Sequence, residues 1–296
     1  MTGVYPQIDL SALPAPAALD AWSFNAIVSA ELSDFTARMT AAGQPYTVGS
    51  LETDPAVIVI EAAAYREGLM RQRVNDAVLA TSLAYAQGTD LDVVAASMST
   101  IRQTGESDST LRLRAQLSWE ALSMGGTYGG YRYRALTAAP VDLADVEVYG
   151  PEVAGVTPGH VRIVCLGSAA NGLPSPATLA AVQEAFPRNL RKVNDVIEVV
   201  ACAPVAWSVD ATLILSPGAD PTSVVAAQTQ ALNAFAASRR AVGASVSPAN
   251  VEAVLGYNSA GLVYDVVVRQ PTAMVGGDPF SAPILSGARI VWQSRG

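Results

Sequence analysis

The stretch DPAVIVIEAAAYREGLMRQRVNDAVLATSLAYAQGTDLDVVAASMST, residues 54–100, reads as a long amphipathic helix, a glycine break and a short capped helix. Pro55 suits the first helical position, with Asp54 as its N-cap. Apolar residues recur at Ile58, Ala62, Tyr65 and Leu69, then at Val74, Val78 and Tyr85. These spacings lie close to the 3.6-residue helical period and put the residues on one side of the helix. Charges fall elsewhere, at Glu61, Arg66, Glu67, Arg71, Arg73 and Asp76. Glu67 precedes Arg71 by one helical turn, an ion pair worth only ~0.3 kcal/mol. Gly88 supplies a left-handed stop. Thr89 then caps the next turn, with Asp92 in the acidic position of a capping box. Taken alone, such a stripe is the core side of an ordinary domain helix.

The composition favours a subunit of an assembly. Half of the 296 residues are hydrophobic and only 15% are charged, against a usual ~25%. A weakly charged surface associates readily, and the length suggests about two domains. Mean hydropathy is positive, yet the apolar runs 56–64 and 77–86 are interrupted by Glu61 and by Thr81 and Ser82. No transmembrane helix is expected. The N-terminus lacks a basic region followed by an apolar core, so no signal peptide is expected. The formal charge is −8, and no run of Lys and Arg exceeds a pair. Nucleic acid and anionic membrane are therefore not expected partners. Cys165 and Cys202 sit far apart in strand-like surroundings, as buried free thiols do.

Residues 1–20 form an arm, broken by Pro6, Pro14 and Pro16, whose Ile8, Leu10 and Leu13 favour wrapping a neighbour. A first helix spans 20–42, with Trp22, Ile27, Phe35 and Met39 as its apolar positions. Gly43-Gln44-Pro45 ends it, and residues 46–53 connect it to the central helix. Residues 100–107 form a polar loop. Another helix starts near Ser109, and Thr127 caps the one after it. Residues 21–139 thus form a helical domain. After Pro140 the texture changes to short Val- and Ile-rich strands at 145–149, 160–166 and 195–203, with a Ser175-capped helix at 176–186 between the last two. Residues 207–216 alternate, placing Trp207, Val209, Ala211, Leu213 and Leu215 on one face. Helices capped by Asp220 and opened by Ser247-Pro248 follow, then a strand at 263–269, a loop at 271–287 and a last strand at 288–293. The class is α+β: an N-terminal helical bundle region followed by two small α/β (strand-helix-strand) modules, 140–205 and 206–296.

No catalytic constellation is visible. His160 is the only histidine and has no carboxylate fixed beside it in the sequence. Zincin, nucleophile-elbow and Walker patterns are absent. The glycines between 125 and 130 follow a helix rather than a strand, so they form a helix–helix turn and not a dinucleotide loop. Capping accounts for Asp90 and Asp92, and Arg112 and Arg114 read as a solvated or interface helix face. The expectation is a protein with no enzymatic activity, cofactor or metal.

The order of segments carries a resemblance. The arm holds Asp9-Leu10-Ser11, and the central helix holds Tyr65-Arg66-Glu67 and Arg71-Gln72-Arg73. Leu83-Ala84-Tyr85-Ala86 and Gly88-Thr89-Asp90-Leu91-Asp92 follow. Then come Glu106-Ser107-Asp108, Leu111-Arg112-Leu113-Arg114 and Gly126-Thr127. This series resembles the baseplate-J-like family of contractile-tailed phages, over nearly the whole chain. Members often carry acidic residues where Ser109 and Thr110 stand.

The resemblance implies a virion structural subunit, assembled in the host cytoplasm. Two copies and one smaller protein similar to baseplate protein I form a wedge of bundled helices. Wedges close a ring around the central spike hub, and a sheath initiator similar to baseplate protein W contacts the ring, which transmits the trigger for contraction. On this basis Ile58, Tyr65, Leu69, Val74, Val78 and Tyr85 are expected to face partners in the bundle. Pro45 and Pro140, between elements of different type, are the candidate hinges. The alternative is a tail-associated carbohydrate-binding or hydrolytic component. A hydrolase needs paired carboxylates in a cleft and a carbohydrate binder needs grouped tryptophans, whereas the four present are scattered.

Overall fold

The computed structural model describes residues 8–47, 51–123, 126–256 and 261–295. The first seven residues of the arm, residues 48–50 of the connector and Gly125 lie outside them. The chain forms two compact units, 7–101 and 102–296.

In the helical unit, α1 (Phe24–Ala41) and α2 (Pro55–Ala80) pack side by side, followed by α3 (Gly88–Ser97). Asp54 caps α2 as expected, accepting from the Ala56 amide. α1 starts four residues later than expected, because Ser23 caps it and Asp20 is engaged elsewhere. The Asp20 carboxylate pairs with Arg71, and its backbone exchanges two hydrogen bonds of 2.9 Å with the Asn75 amide. The arm therefore lies along α2 of its own chain. Trp22 reaches Gly68 so closely that a Cβ there would stand 2.6 Å from its ring. Gly88 has φ of +53° but opens α3 rather than ending α2, and Gln87, not Thr89, holds the cap position. α2 stops at Ala80, leaving Tyr85 outside it.

In the second unit, α4 (Asp108–Ala121) and α5 (Tyr128–Ala138) form a hairpin that packs on a sheet rather than joining the helical unit. Leu117, Tyr131 and Leu136 share one core with Val146, Ile163 and Val182. The break between compact units consequently falls at 101/102, not at the expected 139/140. Arg114 is not on a solvated face: its Nη1 donates to both oxygens of buried Glu106, at 2.6 and 2.8 Å. The Glu106 carboxylate also accepts from the Gln103 amide, and Arg114 Nε donates to Thr137 at the end of α5.

The first sheet has the order β1 (Leu143–Tyr149), β2 (His160–Gly167), β3 (Val196–Ala201). β1 and β2 are antiparallel; β2 and β3 run parallel, joined through α6 (Pro176–Glu184). The second sheet is centred on β4 (Ala203–Leu215), between β6 (Val263–Gln270) and β8 (Ser281–Ser294). The alternating face of β4 is buried against α7 (Pro221–Arg239) and α8 (Pro248–Gly256). The sheets are not copies: β3 returns parallel to β2, while β6 returns antiparallel to β4. The segment 271–287 is only partly a loop. It contains β7 (Val275–Gly276), paired with β5 (Ser245–Val246), and the start of β8. β8 pairs with β4 in parallel along its whole length, a non-local ladder with no local signature.

The chain passes from one sheet to the other at Cys202. Its amide donates to the Cys165 carbonyl at 2.8 Å, and the Ala203 amide donates to Phe280. Both cysteines are buried and unpaired, and burial pushes each thiol up to about 12. Buried polar links join the sheets further. Asp145 accepts from Arg132 at 2.7 Å and from the Val242 amide at 2.9 Å, and Arg240 donates to the carbonyls of Gly167, Ser168 and Ala169.

Two outcomes follow from this packing. Glu106→Gln leaves a buried guanidinium without its counter-charge and is expected to destabilise the second unit by about 3–5 kcal/mol in denaturant melts. The apolar double replacement Glu106→Met/Arg114→Leu is expected to cost less. A thiol reagent at pH 8 should modify neither cysteine in the folded protein and both after unfolding.

Candidate assembly interfaces

The two faces of α2 have different fates. Val57, Ala64 and Gly68 are buried against the rest of the helical unit. At 100° per residue, Ile58, Ala62, Tyr65 and Leu69 lie on an adjacent face, about 110° round the helix from the buried one. Ile58 is 52% exposed, Tyr65 60% and Leu69 53%. Met70 and Val59 extend the apolar surface on one flank, at 71% and 67%. The sequence stripe missed these two because they sit off its centre.

The structure does not keep the six expected bundle residues together. Ile58, Tyr65 and Leu69 form one stripe. Val74 is exposed but follows Leu69 by five residues, which turns it about 140° away. Val78 is half-buried within the unit. Tyr85 follows the end of α2, and its hydroxyl donates to the Leu13 carbonyl at 2.8 Å, tying down the arm.

Both candidate hinges are held within packed units. Pro45 is exposed, but its neighbour Tyr46 stacks edge-on against Phe35 at 5.0 Å and donates to Asp54 at 2.7 Å. That bond pushes the Tyr46 hydroxyl up to about 12. Pro140 is buried between α5 and β1, which pack against each other.

His160 does have a carboxylate neighbour, supplied by the parallel strand β3. Its Nδ1 lies 2.5 Å from Glu198 Oε1, and Arg162 donates to Glu198 Oε2 at 3.0 Å. The hydrogen bond from Arg162, then that with His160, holds the Glu198 carboxyl below its ordinary range. Arg162 also lies over the Phe280 ring at 5.1 Å. The pairing is legible only once the register His160↔Val196 is known. Three linked side chains of this kind form a sheet-face ion pair and contain no nucleophile. Among the described residues, no three His, Cys, Asp or Glu side chains gather as metal ligands, and no helix is long and apolar enough to cross a membrane.

Comparison with known proteins identifies this architecture. Residues 52–108, which run from two residues before the N-cap of α2 to the start of α4, match the Baseplate J-like N-terminal domain. Over 269 residues the chain is 34% identical to baseplate protein J of Escherichia phage P2, spanning 84% of this chain and 87% of that protein. A match of that extent includes both compact units, and with it the chain belongs to the baseplate J-like family.

Proposed function

We propose that the chain is a non-enzymatic structural subunit of a contractile-tail baseplate wedge in the virion, built into a ring around the central spike hub. The observation that carries this reading is the exposed apolar stripe of α2. Ile58, Tyr65 and Leu69 project from a unit whose buried apolar side chains are few and mostly small: Ile27, Val57, Ala64, Ala86, Leu91 and Ala95. A contiguous apolar helix face on a thin unit calls for further helices to cover it. The partners that satisfy it are a second copy of the chain and a smaller wedge protein similar to baseplate protein I. The mixed α/β unit then serves contacts between copies and with a sheath initiator similar to baseplate protein W. The resemblance to family members and the shared identity with the phage P2 protein support this assignment.

The same reading places motion between packed bodies rather than within them. Bending at Pro140 would part α5 from β1, and bending at Pro45 would pull Tyr46 from Phe35 and Asp54. Packed cores resist such deformation. The trigger for contraction is then relayed by units that keep their internal structure.

Two experiments test the assignment. Leu69→Asp should leave the circular dichroism of the isolated chain unchanged, because the site is exposed there. In the assembled wedge it buries a carboxylate, costing on the order of 3 kcal/mol, about a hundredfold in affinity. Co-expression with the smaller wedge protein should then yield no complex, and an intact complex refutes the role of the stripe. In maps before and after sheath contraction, residues 102–296 should superpose as one body; a change of angle at Pro140 would restore that hinge.

A further inference from the structure

The charge of this chain is unevenly placed. The helical unit, 7–101, holds eleven carboxylates against four arginines and no lysine. The rest of the chain is almost balanced, yet between β3 and α6 it concentrates Arg188, Arg191 and Lys192 within the loop 187–193, PRNLRKV. The absence of any basic run longer than a pair conceals this cluster, because Asn189 and Leu190 interrupt it.

The loop is a built structure. The Leu190 amide donates to the Pro187 carbonyl at 2.9 Å, and the Asp195 amide donates to the Lys192 carbonyl at 3.1 Å. The Asp195 carboxylate accepts from the Tyr131 hydroxyl of α5. The Lys192 stem lies over Gly126, its Cγ 3.1 Å from where a Cβ would stand. So anchored, the loop presents Arg188, Leu190, Arg191 and Val193 outward. Val193 is fully exposed, and neither arginine has an ion pair among the described residues. A cavity of about 30 Å³ brings Leu190 and Lys192 against Glu120, Ala121 and Ser123. That end of α4 exposes Trp119 at 66% and Leu122 at 73%. Exposed arginines on an anchored loop, next to a helix end that carries an exposed tryptophan, offer residue types enriched at protein-binding surfaces.

We propose that the loop 187–193, with the adjoining end of α4, is a docking knob for the acidic helical unit of another copy of this chain. Charge complementarity selects that occupant: the knob is cationic, and the helical unit, with eleven carboxylates against four arginines, is anionic. Such a contact is heterologous, joining different surfaces of the two copies, and contacts of that kind build rings when the rotation closes. The inference rests on the scaffold reading above, but uses a different surface from the α2 stripe.

Lys192 is the single lysine of the chain, which makes the contact directly readable. Full-length chains, one half carrying ¹⁵N, are mixed at low salt and treated with a carbodiimide that joins amines to carboxylates. Mixed-isotope peptides linking Lys192 to carboxylates of residues 8–101 are expected, and Lys192→Arg should abolish them. Asn189→Lys, which puts an amine at the exposed tip, should give the same links. Arg188→Glu/Arg191→Glu should weaken self-association at least tenfold in sedimentation and flatten its dependence on salt. Links found only within one chain, only to the second unit, or not at all would overturn the proposal, as would unchanged association of the double variant. Co-sedimentation with phosphatidylglycerol vesicles that is lost in that variant would assign the knob to a membrane and also overturn it. If the double variant still binds the smaller wedge protein through α2, the scaffold reading stands whatever becomes of the knob.

Discussion

A helix packed in a two-helix layer has two faces, and its neighbour can cover only one. In the helical unit that covered face is lined by Val57, Ala64 and Gly68, small enough for Trp22 to close in on the backbone. Small residues bring backbones together but bury little area. The larger side chains, Ile58, Tyr65 and Leu69, stand on the adjoining, exposed face. The unit thus leaves several large apolar side chains outside while burying only a few, such as Ile27 and Leu91, whereas large apolar residues of a self-sufficient domain mostly go inward.

The second unit solves its packing internally. Two sheets of different topology share a junction at Cys202, and a third apolar cluster forms around it from Tyr149, Leu166, Val242 and Ala282. Buried polar groups fasten that junction. Asp145 and Arg240 each satisfy backbone groups from distant parts of the chain, and buried groups of this kind tolerate little displacement once their partners are fixed. The Glu106–Arg114 bridge does the same for the α4–α5 hairpin. A unit so tied is held together as one body by contacts that span its whole sequence.

These two designs divide the work of a scaffold between them. One unit is stable and carries precisely anchored surface features, such as the loop 187–193. The other is acidic and leaves the apolar stripe of α2 exposed.

Local chemistry made much of this legible. Asp54, Ser175, Asp220 and Thr127 announced their helices because a cap needs only the next turn of backbone. The alternation from Trp207 to Leu215 revealed a half-buried strand. The order of motifs along α2 and α3 indicated the family. What local pattern could not supply was anything set by partners far along the chain. The first half of β8 looked like loop because its ladder is made with β4, about eighty residues earlier. Arg114 looked solvated because Glu106 folds back across a helix N-terminus to meet it, and His160 looked solitary because Glu198 arrives on a parallel strand. The apolar period of α2 identified Ile58, Tyr65 and Leu69 as one face. Only the packing of Gly68 against Trp22 decided which side of the helix turns inward, and so which side is left exposed.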